Sequence, residues 1–411
     1  MRLTNKLTHD GWLLFATRCL QMFAFGLLSV VLVLYLAEVG LKGWEIGLLL
    51  SLTLAGDTLI SLWLTTTADR FGRRRILIVG AILMMLSGIV FLSTNSFLLL
   101  LIAATLGVIS PSGNEIGPFL SVEQAALSHI IPDESRTTVF AWYNLVGSFS
   151  TALGALAGGW IANTSARFGM IGASAFHPVL WAYASIGLAM IFGFVLLSGA
   201  IEPTVEDKSL ALKNSILGLH ESKKTVLKLS LLFALDALGG GFVIQSVIAY
   251  WFYLRFQLDP ALLGTIFLFA NLLAGISALG AGWLARRIGL INTMVFTHLP
   301  SNLFLILVPL MPDLNWAIGL LLLRFSISQM DVPARQAYTM AVVRPDERSA
   351  AAGVTAVARS VGASISPMLA TILVGTAGWM SLPFFLAGGL KIVYDLLLYR
   401  AFTGNLAKKR K

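Results

Sequence analysis

Residues 11–37 read GWLLFATRCLQMFAFGLLSVVLVLYLA, 27 positions carrying a single charge, Arg18. A helix of that length rises about 40 Å, enough to cross a hydrocarbon core about 30 Å thick. Arg2 and Lys6 precede it, as basic residues precede a signal peptide. The stretch outruns a signal h-region of about 7–15 residues, and no small-x-small cleavage site follows. It therefore reads as a retained first membrane helix. Eleven further stretches share its character: 44–68, 75–94, 97–129, 136–163 and 178–200, then 226–256, 261–285, 291–311, 315–343, 349–376 and 379–401.

Composition agrees with that count. Charged residues make up 12% of 411 positions, against roughly 25% in ordinary soluble domains. Apolar types reach 57% and the mean hydropathy is +0.83. Water could not solvate that much apolar surface, so the expected fold is an all-α integral membrane protein with twelve transmembrane helices. The net charge of +9 does not point to nucleic acid, because the basic residues sit in short connectors between apolar spans. Connectors of that kind set membrane orientation. With the N-terminus inside, cytoplasmic segments hold 21 of the 29 basic residues and outer segments hold three, Lys42, Arg167 and Arg255. The expectation is a multi-pass protein of the cell membrane with both termini cytoplasmic. Cys19 is the single cysteine, which leaves no disulfide framework or thiolate metal site.

The longest polar connector runs over residues 201–225. Its Leu210, Leu212, Ile216, Leu217 and Leu219 alternate with Lys213, Glu221, Lys223 and Lys224, a pattern that suits a helix on the membrane surface or a flexible linker. It separates an N-terminal six-helix bundle, residues 1–200, from a C-terminal one, residues 226–411, which ends in a basic tail. The two halves repeat each other. Leu13-Leu14-Phe15-Ala16 recurs as Leu231-Leu232-Phe233-Ala234, and Arg70-Phe71-Gly72 as Arg287-Ile288-Gly289. Gln124-Ala125 recurs as Gln336-Ala337, and Pro132-Asp133-Glu134 as Pro345-Asp346-Glu347. Internal repeats of this kind are a mark of transporters.

The connector Ala68-Asp69-Arg70-Phe71-Gly72-Arg73-Arg74-Arg75 resembles the Asp-Arg-x-Gly-Arg-Arg core of the loop motif of the major facilitator superfamily. Thr65 stands where that motif opens on glycine. In the second half Gly282 keeps the glycine and Arg286 replaces the acid. The family's fourth-helix arginine is Thr105 in half one, while its counterpart in helix ten is Arg324. Gly147, Gly154, Gly158 and Gly159 resemble the glycine-rich antiporter signature, with Ala155 in place of its proline; close packing of small faces accounts for them equally well. The resemblance covers nearly the whole chain. It implies two pseudo-symmetric six-helix bundles, secondary transport, and a central cavity lined by helices one, four, seven and ten.

Those four helices hold most of the intramembrane charge. They carry Arg18 and Gln21; Asn114, Glu115, Glu123 and Gln124; Asp236 and Gln245; and Arg324, Gln329, Asp331, Arg335 and Gln336. A charge at the bilayer centre costs at least about 2.5–3.5 kcal/mol, so each should face a partner or a cavity. Equivalent positions carry opposite signs: Arg18 and Asp236, Glu123 and Arg335, Asp69 and Arg286. Proton coupling needs a carboxylate that cycles between charged and neutral. The candidates are Glu123 and Asp331 first, then Glu115 and Asp236. Asp69, Arg70, Gly72, Arg73 and Arg286 are candidates for gating in the loops, and Asp57 and Arg359 for a pair at the interface between halves. Asn144 and Asn271 would serve the opposite interface. His298, two residues before Pro300, is expected to cap freed backbone, and Lys391 to pair with Asp395 one turn on. Helix four, with Pro111, Gly113, Gly117 and Pro118 at mid-depth, is expected to kink or break.

No phosphate-binding loop, nucleophile elbow or metal-ligand spacing appears, so no enzyme, metal or cofactor is expected. The expected function is proton-coupled secondary transport of a small organic solute by alternating access, in the efflux direction. The expected partners are the lipid bilayer, that solute and protons, with the chain working as a monomer. Import of a polar or anionic solute, such as a sugar or carboxylate, is the alternative, as is a non-transporting receptor or lipid translocase on the same fold.

Overall fold

The computed structural model describes residues 7–113, 118–202, 220–344 and 347–408. Among the described residues every regular element is helical. The first half runs through α1 (His9–Glu38), α2 (Gly43–Phe71), α3 (Arg73–Ser93), α4 (Phe97–Leu106), α5 (Pro118–Ile130), α6 (Asp133–Arg167) and α7 (His177–Val195). The second runs through α8 (Lys223–Gly241), α9 (Gln245–Phe256), α10 (Pro260–Ile288), α11 (Leu290–Leu307), α12 (Leu314–Ser328), α13 (Asp331–Val342), α14 (Arg348–Val374) and α15 (Leu382–Lys408). Eleven stretches are long and apolar enough to cross a membrane, and the shorter apolar helix Phe97–Leu106 opens the twelfth. Residues 203–219, the bulk of the expected amphipathic connector, lie outside the described residues.

Three of the twelve expected spans are discontinuous. The span at 97–129 breaks after α4, where Val108 adopts φ 56° and Gly113 φ 67°. Its freed carbonyls are satisfied by side chains, as a buried backbone requires: Tyr183 Oη donates to Val108 O at 3.1 Å and Ser87 Oγ to Gly107 O at 3.2 Å. The span at 226–256 breaks after the run Gly239-Gly240-Gly241, between α8 and α9. The span at 315–343 breaks between α12 and α13, and Pro333 then falls in the first turn of α13, where its missing N–H costs no hydrogen bond.

The chain divides into two compact units, Met1–Asn214 with Gln257–Leu268 and Ser215–Phe256 with Phe269–Lys411. Each is built on one close helix pair. In the first unit α1 lies against α6 so tightly that a Cβ on Gly26, Gly154 or Gly158 would strike the backbone carbonyls of Thr151, Phe23 and Leu27 respectively. The α6 glycines are therefore close-packing positions. In the second unit α8 meets α14 in the same way: a Cβ on Gly362 would strike the Ala234 carbonyl, and one on Gly241 the Ala363 carbonyl at 2.5 Å. Ser366 Oγ donates to Leu238 O across that contact.

The repeat is visible in the connectors as well. Gly72 (φ 99°) precedes α3 and Gly289 (φ 87°) precedes α11, equivalent positions in a backbone region that favours glycine. Glu202 caps α3, taking the Arg73 N–H at 2.8 Å and the Arg74 N–H at 3.1 Å. Arg73 returns through Nη1 to the carbonyls of Ile201 (3.1 Å) and Ala125 (3.3 Å), which ties this connector to the ends of its neighbours. In the second unit Glu347 caps α8. It accepts from the backbone N–H groups of His220, Glu221 (3.0 Å) and Ser222 (3.0 Å). Hydrogen bonding from the Ser222 side chain, then from the His220 N–H, holds its carboxyl at about 2 against an ordinary 4.5.

Two predictions follow from these contacts. Gly26→Ala and Gly154→Ala should each lower the melting temperature in detergent by several degrees, an overpacking cost of about 1–3 kcal/mol. Gly319→Ala, which meets nothing within 4 Å, should leave it unchanged. A carboxyl depressed in the folded state stabilises fully above its unfolded value and loses that contribution as pH falls through its folded value. The stability gap between the parent and Glu347→Gln should thus be constant above pH 4.5 and shrink as the pH approaches 2, followed by thermal melts across that range.

Candidate functional site

The glycine run that breaks the seventh span also makes room for a charge. A Cβ on Gly239 would meet Lys391 Cγ at 3.0 Å, and one on Gly240 would lie 3.7 Å from Lys391 Nζ. Without those carbons the lysine stem runs along α8 and sets Nζ 2.7 Å from Asp236 Oδ1. Asp236 is the hub of a larger cluster. Its Oδ2 takes Arg335 Nη1 at 3.1 Å and Arg359 Nη1 at 3.2 Å, and His298 Nε2 stands 3.7 Å from Oδ1. Arg335 Nη1 also reaches Asp331 Oδ2, one turn earlier on α13, at 3.0 Å. His298 Nδ1 lies 2.9 Å from Asp395 Oδ1, and Asn302 Nδ2 donates to Asp395 Oδ2 at 3.2 Å. The arginine also lies over the Phe233 ring, 5.6 Å from its centroid.

Three carboxylates and three permanent cations thus meet inside one half, drawn from α8, α13, α14 and α15, with His298 supplied by α11. Asp236, Asp331, Asp395, Arg335 and Lys391 are buried, whereas the Arg359 side chain is 34% exposed. The cluster therefore reaches the surface of its half through Arg359. Ion pairs excluded from water hold only when every member is matched, and removing one partner costs about 3–5 kcal/mol.

The first half carries a smaller counterpart. Arg18 on α1 lies 4.8 Å from the centroid of Tyr143 on α6, and the Tyr143 hydroxyl donates to Glu123 Oε2 on α5. Gly147 leaves space for the guanidinium, since a Cβ there would sit 2.9 Å from Arg18 Nε. In repeat register Arg18 and Glu123 correspond to Asp236 and Arg335, with the signs reversed.

Several sequence expectations change. Arg359 donates to Asp236, while Asp57, 1% exposed, has neither carboxylate oxygen hydrogen-bonded among the described residues. Lys391 pairs with Asp236 instead of Asp395, because the glycine run draws α8 within its reach. His298 binds Asp395 instead of capping the backbone freed by Pro300. Asn271 Nδ2 donates to Gln245 Oε1 at 3.2 Å within its own half, and Asn144 is exposed. Arg324 stays outside the ion-pair cluster, its guanidinium 5.0 Å from the Phe325 centroid and its Nε without a hydrogen bond among the described residues. Gln21 is fully buried with both amide atoms in the same position. Gln329 ends α12, Gln124 is half-buried, and Gln336 and Arg286 are exposed. Asn114 and Glu115, and the side chains of Asp69 and Arg70, lie outside the described residues.

Lys391, His298, Asp395 and Tyr143 join the sites although none was among the candidate coupling, cavity or gating residues. The first three had a legible signal, since each is a polar group inside an apolar span; Tyr143 had none. Asp236→Asn should lower the melting temperature well beyond a surface substitution, and Asp236→Asn with Lys391→Met should recover part of the loss. Detergent melts of both variants check this.

The Major Facilitator Superfamily profile matches residues 14–367. The chain is 32% identical to the uncharacterized membrane protein YJR124C of Saccharomyces cerevisiae, over 98% of this chain and 96% of that one. It is also 27% identical to the quinolone resistance protein NorA of Staphylococcus aureus, over 43% of this chain and 42% of NorA. Among solved structures, a bacterial homolog of the human lysosomal transporter Spinster matches with a TM-score of 0.74 at 15% identity, over 95% of this chain and 96% of that one. A D-xylose–proton symporter matches at 0.72 and 12% identity, over 94% and 97%. These structural likenesses concern the fold. The profile match over most of the chain and the yeast relative, taken with the repeat and the apolar spans, close the question of family: the chain belongs to the major facilitator superfamily and is a multi-pass membrane transporter.

Proposed function

We propose that the protein exports small organic solutes across the cell membrane in exchange for protons, working as a monomer with both termini cytoplasmic. The observation that carries this reading is the pair of membrane-buried charge sites, Arg18–Tyr143–Glu123 in one half and the Asp236 cluster in the other. A protein does not keep this many charges at membrane depth for stability, since well-packed apolar side chains would do as well. Charges there usually mark ion or substrate pathways. Glu123 is the leading coupling residue: it is fully buried and accepts from the Tyr143 hydroxyl, which a carboxylate can lose or keep as its charge changes. Asp331, bound to Arg335, is the second. The partial similarity to NorA supports export, and the 21-to-3 basic split supports the orientation.

In alternating access one solute site faces the two sides in turn. Protonating a carboxylate in a balanced cluster frees its cation, and that shift in charge biases the balance between the two states. A second reading, transport of an organic anion, is favoured by the partly exposed side chain of Arg359, the member of the cluster that reaches the surface of its half. The test is flux in proteoliposomes with and without a pH gradient, using ethidium and a fluoroquinolone as cationic or neutral probes and carboxyfluorescein as the anionic one. Gradient-driven flux of the first two, falling about tenfold or more in Glu123→Gln, is the expected result. Flux of carboxyfluorescein alone, lost in Arg359→Gln, would establish the second reading instead.

A further inference from the structure

His298 lies on α11, 5% exposed, and both of its ring nitrogens face carboxylates. With Asp395 ionised, the 2.9 Å contact from Nδ1 to its Oδ1 places a proton on Nδ1, and the Asn302 amide, 3.2 Å from Nδ1, gives its N–H to Asp395 Oδ2. In a neutral ring Nε2 then points its lone pair at Asp236 Oδ1, 3.7 Å away, acceptor facing acceptor. A second proton on Nε2 makes both ends attractive. The pocket is thus shaped for an imidazolium as well as an imidazole, and one proton separates the two.

That proton also decides the charge of the cluster. Asp236, Asp331 and Asp395 are matched by Arg335, Arg359 and Lys391. The bonded set therefore sums to zero with a neutral ring and to +1 with a protonated one. Among the described residues Tyr394 on α15 also faces the ring, its centroid 5.9 Å from the imidazole, and Arg324 on α12 acts on Asp236. Both keep one charge state through the range in which histidine titrates. Asp236 Oδ1 is shared between Lys391 Nζ at 2.7 Å and His298 Nε2 at 3.7 Å. A protonated ring competes for that oxygen and loosens the lysine that ties α15 to α8. In the register set by Gly72 and Gly289, the position matching His298 is Ala81, so the device belongs to the second half alone.

We infer that His298 is a proton-binding group of the second half in addition to Asp331, with Asp395 as the positioning residue that fixes its ring and Asp236 as the carboxylate that meets the incoming proton. Its use in transport rests on the proton-coupled reading above; its protonation does not.

The experiment has two arms. The first uses full-length protein carrying His9→Gln, His129→Gln, His177→Gln and His220→Gln, which leaves His298 as the one histidine, with ring nitrogens followed by NMR. A passage from the Nδ1–H neutral tautomer to the doubly protonated ring as the pH is lowered is expected. Asp395→Asn should release the ring from that single tautomer. The second arm measures ethidium flux: in His298→Gln gradient-driven flux should fall about tenfold or more, with its ratio to equal-pH exchange dropping toward one. A ring that stays neutral throughout, or a His298→Gln protein that still follows the gradient, overturns the inference. Parent flux indifferent to the gradient, with the ring still titrating, overturns the coupled reading and leaves the proton site standing.

Discussion

An ion that leaves water for the membrane interior must find its counter-charge inside the protein, and the second half of this transporter is arranged around that demand. Asp236 alone could not remain ionised on α8. Three cations from three other helices converge on it, and each brings its own constraint. Lys391 needs the missing side chains of Gly239 and Gly240. Arg335 needs Asp331 one turn before it, and Arg359 needs the close α8–α14 approach that Gly362 and Gly241 allow. The glycines and the charges are parts of one device, since the packing sets the distances and the distances make the charges tolerable.

The two halves solve the same problem with opposite signs. Arg18 in the first half is met by the face of Tyr143, whose hydroxyl in turn serves Glu123. An aromatic face and a phenol help hold a cation and an acid at this depth. The second half sets three carboxylates against two arginines and a lysine. Helix ends follow a parallel economy: Glu202 and Glu347 each close the N-terminus of a helix, where the dipole and free N–H groups favour an anion.

Much of this was legible before any coordinates. Span number followed from hydropathy because lipid leaves the backbone no other partner than its own helix. The repeat was legible because Gly72 and Gly289 must both supply a positive φ. The buried acids and bases on spans one, four, seven and ten stood out against an apolar background. What did not follow was pairing. Sequence spacing suggested Lys391 with Asp395, yet a flexible cation chooses among acids by distance. That choice depends on how far α8 approaches α14 and α15.

The sequence by itself determined a twelve-span, two-fold repeated membrane transporter and the short inventory of charges it must bury, because hydropathy, glycine and charge are local properties. Which charges meet is a matter of packing in three dimensions, which sets the helix breaks at residues 107–113, 242–244 and 329–330 and the glycine contacts between helices. It turned His298 from a residue beside a proline into a ring held between two carboxylates. It left Asp57 buried with neither oxygen hydrogen-bonded among the described residues. Distance over a few ångströms, which no linear pattern encodes, made the difference in both.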